Sequence, residues 1–240
     1  MGAPSRFLSG VATVDAQYPL GNYPFPDPFH TSGSANLDVT SYANDFFTIG
    51  STTLDWTLTG TSSTFAITDG VGGQALITPG GTTTTTTVAA AHAGFQLVAG
   101  QAFWYLCRIQ ASAVSGTKAF TFGLQKGTGA TNTDGIYFTK AASSTALSLV
   151  SKVNSTATTL VTSVATAAAA TWLDVGFYYD GTDLLVYASD ALIARVSAPT
   201  VGASGTTLTN ALLQPFFQIV PTATDTLTID YVLAAQETSR

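Results

Sequence analysis

The residue types that carry most enzyme chemistry are scarce in this chain. Glu237 is its only glutamate, His30 and His92 are its only histidines, and Cys107 is its single cysteine. Glycoside hydrolysis needs a pair of carboxylates, and a nucleophilic triad needs a histidine positioned by its neighbours. A zinc site needs histidines or cysteines at paired spacing, which these residues do not have. We therefore predict a protein that is not an enzyme and binds no metal or cofactor, with Cys107 as a small core residue.

The aspartates occur mainly in turn sequences. Asp180 and Asp183 surround an aspartyl-glycine dipeptide, so a tight turn explains this pair better than catalysis. No calcium-loop pattern of alternating aspartates ending in glycine occurs. Asp134, Asp180, Asp183 and Asp225 could still meet at loop ends, so a structural cation stays open at this stage.

Aromatic side chains are plentiful enough for sugar binding, which needs exposed rings beside polar groups. The candidates are Trp56, Trp104, Trp172, Tyr178 and Tyr179. The tryptophans lie in apolar or alternating segments, which favours core packing. The predicted buried core includes Trp104, Leu106, Phe122, Trp172, Val175 and Phe177.

Only 9% of the 240 residues are charged, against about 25% in ordinary soluble domains. The net charge is −6 and no basic patch occurs, which argues against nucleic acid as a partner. No apolar run reaches the ~20 residues of a membrane span, so no membrane partner is expected. The first residues lack the pattern of a secretory signal. A surface covered by Thr, Ser, Gly, Asn and Ala suits burial against other protein. The alternative is a secreted or thermally hardened β-domain with a Thr-rich exterior.

Short apolar or alternating segments separated by turn sequences fill the chain from Leu37 onward, and they must position any site. They predict about a dozen strands in an all-β, two-sheet antiparallel jelly-roll sandwich over residues 37–240. Phe103–Ile109, apolar on both faces, predicts a central strand. Asp45–Ile49 predicts a short strand, and the threonine run Thr82–Thr87 could form an edge strand. Ala165–Ala170 is left open between a short helix and a loop.

Residues 1–36 form a separate segment, predicted to be an extended N-terminal arm. Five of the chain's nine prolines fall here, and between Tyr18 and Phe29 they alternate with large apolar side chains. Proline fixes φ and favours extended geometry in the preceding residue. The arm's aromatic rings could pack on their own sandwich or on a neighbouring subunit. The predicted protein-interface residues are Arg6, Phe7, Tyr18, Leu20, Tyr23, Phe25 and Phe29.

The part from Phe103 to Tyr231 resembles the concanavalin-like jelly roll of lectin and laminin-G-type domains. The segments that carry the resemblance are Phe103–Leu106, Phe122–Leu124, Asp134–Phe138 and Trp172–Gly181. In that family the hairpin that runs from the tryptophan to the aspartyl-glycine turn lies in the concave or core sheet. The resemblance implies a fold and leaves the function open.

Both ends of the chain resemble virion proteins of tailed bacteriophages. The similar segments are Arg6–Thr13 and Pro19–Tyr23 near the start, and Leu227–Val232 near the end. This resemblance implies a capsid decoration (cement) protein that is made in the host cytoplasm and resides on the capsid exterior. Its expected partners are the major capsid protein and further copies of itself, with a trimer favoured. The alternative is a carbohydrate-binding head-fibre or adhesin module.

Overall fold

The computed structural model of the chain describes residues 38–47, 55–68, 70, 73–114, 117–221 and 225–238. These residues form strands and loops, and they include no helix long and apolar enough to cross a membrane. The strands are β1 Asp38–Asn44, β2 Trp56–Thr59, β3 Thr64–Thr68, β4 Gln74–Thr78, β5 Thr86–Ala90, β6 Phe103–Ala111, β7 Ala119–Gln125, β8 Gly135–Lys140, β9 Ala146–Val153, β10 Thr156–Thr166, β11 Trp172–Tyr179, β12 Leu184–Ala188, β13 Ala191–Val196, β14 Val201–Gly202, β15 Leu208–Thr209, β16 Gln214–Val220 and β17 Leu227–Thr238.

Two large antiparallel sheets contain nearly all of these strands. The first sheet has the order β13-β12-β11-β6-β17-β4-β3, with β1 also paired to β17. The second sheet has the order β10-β9-β8-β7-β16-β5-β2. The short strands β14 and β15 form a separate parallel pair. This arrangement confirms the predicted all-β jelly-roll sandwich, and β6 is a central strand as its sequence predicted.

The core between the sheets is unusually aromatic. The Phe177 ring stacks on the rings of Phe103 and Tyr105, with centroids 5.9 and 5.3 Å apart, and approaches Phe138 from the second sheet at 6.3 Å. All four side chains are almost completely buried. Such ring pairs stabilise a core beyond the area they bury, by roughly 0.5–1.5 kcal/mol each. The aromatic residues of β6, β8 and β11 therefore hold the two sheets together.

The turn between β11 and β12 is the hairpin that the sequence predicted. The Asp180 carboxylate accepts hydrogen bonds from the amides of Thr182 and Asp183, at 2.8 and 2.7 Å. Gly181 has φ of 93°, and a Cβ there would lie 2.8 Å from the backbone of Gly100. Only glycine fits this turn without strain. The Asp180–Asp183 pair is thus a turn, as expected.

Three of the predicted elements differ from the structure. β1 ends at Asn44, so the predicted Asp45–Ile49 strand is wrong for residues 45–47, and residues 48 and 49 lie outside the described ones. The Asn44 side chain accepts a hydrogen bond from the Phe46 amide at 2.8 Å, and Phe46 has φ of 52°. This local turn ends the strand. In the threonine run only Thr86 and Thr87 are in a strand, β5, and β5 lies between β16 and β2 rather than at an edge.

The Ala165–Ala170 segment continues β10 up to Thr166 and then becomes a loop, so the helix alternative is wrong. Two predicted core residues also differ. Phe122, Val175 and Phe177 are buried between the sheets, whereas Leu106 and Trp172 are partly exposed on the outer face of the first sheet. Trp104 is buried, but it belongs to a small cluster apart from the main core. Both faces of β6 and β11 carry apolar side chains, but only one face of each strand packs in the core between the two sheets.

Asp134 connects three separate parts of the sandwich. One carboxylate oxygen accepts hydrogen bonds from the Asn154 amide at 3.0 Å and from the Thr209 hydroxyl at 2.9 Å. The other accepts from the Thr133 hydroxyl at 2.9 Å. Burial raises the pKa of Asp134, but these hydrogen bonds outweigh it and lower the pKa overall.

We expect the Asp134→Ala substitution to destabilise the fold by about 2–3 kcal/mol, since several donors lose a charged acceptor. The lowered pKa means that this stability is complete above the unfolded Asp pKa of about 3.9 and is lost as the pH falls through the folded value. Denaturant unfolding of both proteins at pH 3–7 measures the effect. Asp190→Asn is the control, because burial and Asp174 raise the pKa of Asp190. An equal loss of stability in both variants would contradict the assignment.

Candidate functional site

The outer face of the first sheet carries both aromatic and charged side chains. Alternate residues of β6 point to opposite sides of the sheet. Phe103, Tyr105, Cys107 and Ile109 are in the core, which places Trp104, Leu106, Arg108 and Gln110 outside. The neighbouring strands add outer residues in register, namely Trp172, Asp174 and Tyr178 from β11, Leu185 and Tyr187 from β12, and Tyr231, Leu233 and Ala235 from β17.

One end of this face carries an aromatic group, here called the Trp104 cluster, formed by Trp104, Tyr178 and Tyr187 over Ala102 and Ala235. The rings of Trp104 and Tyr178 stack with centroids 5.2 Å apart and an angle of 22°. Desolvation raises the pKa of the Tyr178 and Tyr187 phenols, and Asp180 and Glu237 raise that of Tyr178 further. Trp104 is almost completely buried, so the partly exposed rings of Tyr178 and Tyr187 are what the cluster presents at the surface.

The middle of the same face carries charged side chains, here called the Arg108 network, formed by Arg108, Asp174, Asp230 and Tyr231. The guanidinium lies 3.1 Å from Asp230 and 3.6 Å from Asp174. The Tyr231 hydroxyl donates to Asp174 at 3.0 Å, and desolvation together with Asp174 raises the pKa of Tyr231. The Trp172 ring covers the guanidinium at 5.0 Å, a cation–π contact.

The Arg108 network brings together two carboxylates that the sequence analysis did not single out. A glycosidase uses such a pair as an acid and as a base or nucleophile. Here a single guanidinium engages both Asp174 and Asp230, and Tyr231 occupies a further oxygen of Asp174. The arrangement is an ion-pair network of one guanidinium and two carboxylates, and it ties β6, β11 and β17 together. That the chain is not an enzyme stays a prediction.

The outer face of the second sheet is different in chemistry. It carries the ring pair of Tyr137 and Phe216, with centroids 6.0 Å apart, and polar side chains that bond to one another across strands. The Thr121 and Thr139 hydroxyls lie 3.0 Å apart, and the Gln218 amide donates to Thr87 at 2.9 Å and to the carbonyl of Ala130 at 2.7 Å. The second face therefore has cross-strand hydrogen bonds between neutral side chains, whereas the first has the Arg108 ion pairs.

The cations of the described residues are all engaged by oxygen atoms. Lys118 pairs with Asp225 at 2.8 Å and Lys126 with Asp134 at 3.8 Å, while Arg195 bonds to Asp183. Lys140 and Lys152 donate to backbone carbonyls, and Arg108 belongs to its network. Asp134, Asp183 and Asp225, which the sequence left open as aspartates that could meet at loop ends, thus each pair with a different basic side chain. Within the described part of the chain no three His, Cys, Asp or Glu side chains form a group that could hold a metal.

A cleft of about 430 Å³ lies beside β1. Its lining includes Tyr42, Asp55, His92 and Pro215. The His92 side chain is exposed. Burial raises the pKa of the Cys107 thiol, which lies wholly inside the core, so the predicted core role of Cys107 is confirmed.

The predicted interface residues of the arm, namely Arg6, Phe7, Tyr18, Leu20, Tyr23, Phe25 and Phe29, lie outside the described residues. What the structure adds is an exposed apolar edge. Leu192 and Ile193 of β13 are 55% and 44% exposed. β13 is the last strand of the first sheet, and β10, the last strand of the second, lies against it. The sequence signal for this edge is the run of four consecutive apolar residues at the start of β13, Ala191–Ala194.

No protein-family model matches the chain, and no curated protein matches its sequence. Solved structures do match. A β-glucanase of Bacillus licheniformis superposes with a TM-score of 0.58 at 11% identity, covering 88% of this chain and all of that one. Arcelin-5, a lectin-like defense protein of Phaseolus vulgaris, gives 0.52 at 14% identity, covering 84% of this chain and 99% of that one. The chain has a lectin-type jelly-roll fold.

A bacteriophage protein shares this jelly roll. The carbohydrate esterase of the Shiga toxin-encoding bacteriophage phi24B gives a TM-score of 0.52 at 16% identity, covering 84% of this chain and 100% of that one. The similar structures include glucanases, an esterase and lectin-like proteins. At such low identities they establish the fold of the chain and leave its activity open.

Proposed function

We propose that the chain is a capsid decoration (cement) protein of a tailed bacteriophage. It would bind the outside of the major capsid protein shell and stabilise the shell. The observation that carries this proposal is the exposed, weakly charged edge where β10 and β13 meet. Every lysine and arginine in the described part of the chain contacts an oxygen atom. This supports the proposal, because the surface then offers few unpaired charges that would repel a protein partner.

The β10–β13 edge has the chemistry of a protein contact. The eleven residues of β10, Thr156–Thr166, include no charged side chain and are mostly exposed. Leu192 and Ile193 project from the adjoining strand. Register shifts interrupt both strands, two in β10 and one in the pairing of β13. Because bulges hinder the addition of a further strand, contact through side chains is the expected mode.

Stabilisation would come from area buried only in the assembled shell. A contact through one such edge is weak by itself. Copies linked as an oligomer bind several sites of one shell at once, and they therefore bind more tightly than isolated copies. We propose a homo-oligomer, with a trimer matching local three-fold positions of a shell, and an arm that lies on a neighbouring subunit. The phi24B esterase supports the proposal only in that a bacteriophage protein shares this fold.

Shell binding can be measured by co-sedimentation of the purified chain with phage shells assembled without it. We expect the double substitution Leu192→Ser and Ile193→Ser to reduce retention at least about tenfold, since two apolar anchors are lost. Leu212→Ser is the matched control, because Leu212 is 56% exposed elsewhere on the surface. Equal retention of both variants would exclude the β10–β13 edge as the contact. No binding by the unchanged chain would exclude the decoration function.

The alternative is a carbohydrate-binding head-fibre or adhesin module. The observation that favours it is the Trp104 cluster, because stacked aromatic rings on a sheet face can bind sugar rings. A glycan array with the purified chain separates the two functions. Clear sugar binding together with no binding to shells would overturn the decoration proposal.

A further inference from the structure

β1 is paired on one side only in the part of the chain that the structure describes. It pairs with β17 from Asp38 to Asn44 without a register shift, and no described strand pairs with its other side. In an antiparallel pair, alternate residues direct both their N–H and their C=O away from the partner strand. The outer side of β1 therefore presents a row of donors and acceptors to which a further strand can bind.

This edge lacks the features that usually prevent strand addition. Proteins protect their edges with lysine, proline or bulges, and the seven residues of β1 include none of these. The strands at the opposite side of the sandwich differ, because register shifts interrupt β10 and the pairing of β13. The uninterrupted edge of β1 is thus suited to an extended segment.

The cleft of about 430 Å³ adjoins this edge, between β1 of the first sheet and Ala90 and Pro215 of the second. Its volume falls in the range of ligand sites, roughly 300–1,000 Å³. Thr40, Tyr42 and Asn44, which are alternate residues of β1, line the cleft. A strand paired with β1 would therefore direct its own alternate side chains toward the same side, as in other peptides that add to a sheet.

The lining of the cleft favours a long side chain with a positive end. Ala90, Phe95 and Pro215 contribute an apolar wall. Asp55 contributes a carboxylate, and the described lining residues include no lysine or arginine. Burial raises the pKa of the Tyr42 phenol, and the nearby Asp55 carboxylate raises it further. Lysine and arginine combine an apolar stem with a charged end, which matches such a lining.

Hydrogen bonds hold the polar groups of the cleft in position. The Tyr42 hydroxyl accepts from the Asn44 side-chain amide at 3.2 Å, and the Tyr42 ring packs edge-on against Trp56. The Asp55 carbonyl accepts from the Ala91 amide at 3.0 Å, which fixes the backbone that carries the carboxylate. A site formed before binding loses less entropy when a ligand enters.

The charges of this region argue against a second copy of the chain as the added strand. Asp45 follows β1 directly and is exposed, and Asp55 lies in the cleft. Two such edges would place like charges on both sides of the contact, and neither β1 nor the described lining supplies a basic side chain to offset them. Juxtaposed like charges disfavour a partner, whereas a basic segment of another protein complements them.

We infer that β1 and the adjoining cleft bind an extended segment of a partner protein. The segment pairs with β1 as an additional strand and places a lysine or arginine in the cleft beside Asp55. This site is separate from the β10–β13 edge, and it does not depend on whether the chain decorates a capsid.

Synthetic peptides added to the full-length chain and followed by NMR test this site. The probe is acetyl-Thr-Val-Thr-Lys-Thr-Val-Thr-amide, which should shift the signals of β1 and of the cleft. The same peptide with norleucine in place of lysine should bind about fivefold more weakly, the loss expected for an ion pair. Two further peptides carry N-methyl groups at one or the other set of alternate residues. Only one of them should lose binding, because only one set of N–H groups faces β1.

Substitutions in the chain give the complementary measurement. Asp55→Asn keeps the shape of the side chain and removes its charge, so it should weaken the lysine peptide about fivefold and leave the norleucine peptide unaffected. Asp45→Asn is the matched control, because Asp45 is exposed and is not part of the cleft lining. It should change the binding of either peptide less.

Three results would overturn the inference. Equal binding of the lysine and norleucine peptides would exclude a basic side chain as the occupant of the cleft. Failure of every peptide to bind, or equal binding of the two methylated peptides, would exclude strand addition at β1. Dimers of the chain alone that the lysine peptide dissociates would assign this edge to a second copy.

Discussion

Replacing Phe177 with alanine is expected to lower the free energy of unfolding by about 3–5 kcal/mol, the usual cost of removing a buried phenylalanine. Phe177 lies where rings from both sheets meet, stacked on Phe103 and Tyr105 and close to Phe138. The cavity left by the substitution cannot close without moving both sheets. Denaturant unfolding followed by circular dichroism measures the difference.

Tyr178→Ala is the matched control for this prediction, one residue along the same strand and on the opposite face of the sheet. Tyr178 is partly exposed and packs against the small outer cluster. Its removal should cost clearly less than that of Phe177. If the two substitutions destabilised the chain equally, the assignment of the inner and outer faces of β11 would be wrong.

Deleting residues Met1–Phe29 is expected to leave a folded sandwich and to abolish oligomerisation and capsid attachment. All strand pairs of the described residues lie between Asp38 and Thr238, so the pairing does not need the arm. We expect the melting temperature to change by no more than a few degrees, which corresponds to less than about 1 kcal/mol. Light scattering gives the oligomeric state, and co-sedimentation with shells gives attachment.

The companion variant for the deletion replaces the arm's four aromatics, Tyr18, Tyr23, Phe25 and Phe29, with serine in the full-length chain. It should behave like the deletion if apolar contacts of the arm cause association. Unfolding or aggregation of the truncated chain would instead mean that the arm belongs to its own core. In that case the model of an arm exchanged between subunits would fail.

The sequence was most informative where local signals and tertiary packing agree. The turn of the β11–β12 hairpin is predicted correctly because an aspartyl-glycine dipeptide favours a tight turn. β6 was correctly placed at the centre because both of its faces are apolar. The apolar residues on both faces of β6 did not mean that both faces are in the core, because only one face of this strand packs against the second sheet. Trp172 and Leu106 lie instead on the outer face, where the Trp172 ring covers the Arg108 guanidinium.

The predictions that failed depended on contacts distant in sequence. β1 was missed because its residues, Asp38–Asn44, hardly alternate, and the strand exists through pairing with β17 at the other end of the chain. The threonine run looked like an edge strand because its sequence gives no sign of the two neighbours that flank β5. The Arg108 network could not be predicted either, since it joins residues of three strands that only the topology brings into register.

The position of β17 determines when the chain can fold. β17 pairs with β6 along one side and with β4 and β1 along the other, so the first sheet is divided until this strand is inserted. Because β17 comes last among the strands, a ribosome must synthesise nearly the whole described sandwich before its core can close. Long-range pairing of this kind slows folding and leaves unpaired edges exposed for longer. A chain with few charges to keep such intermediates apart should therefore fold best at low concentration, immediately after its release.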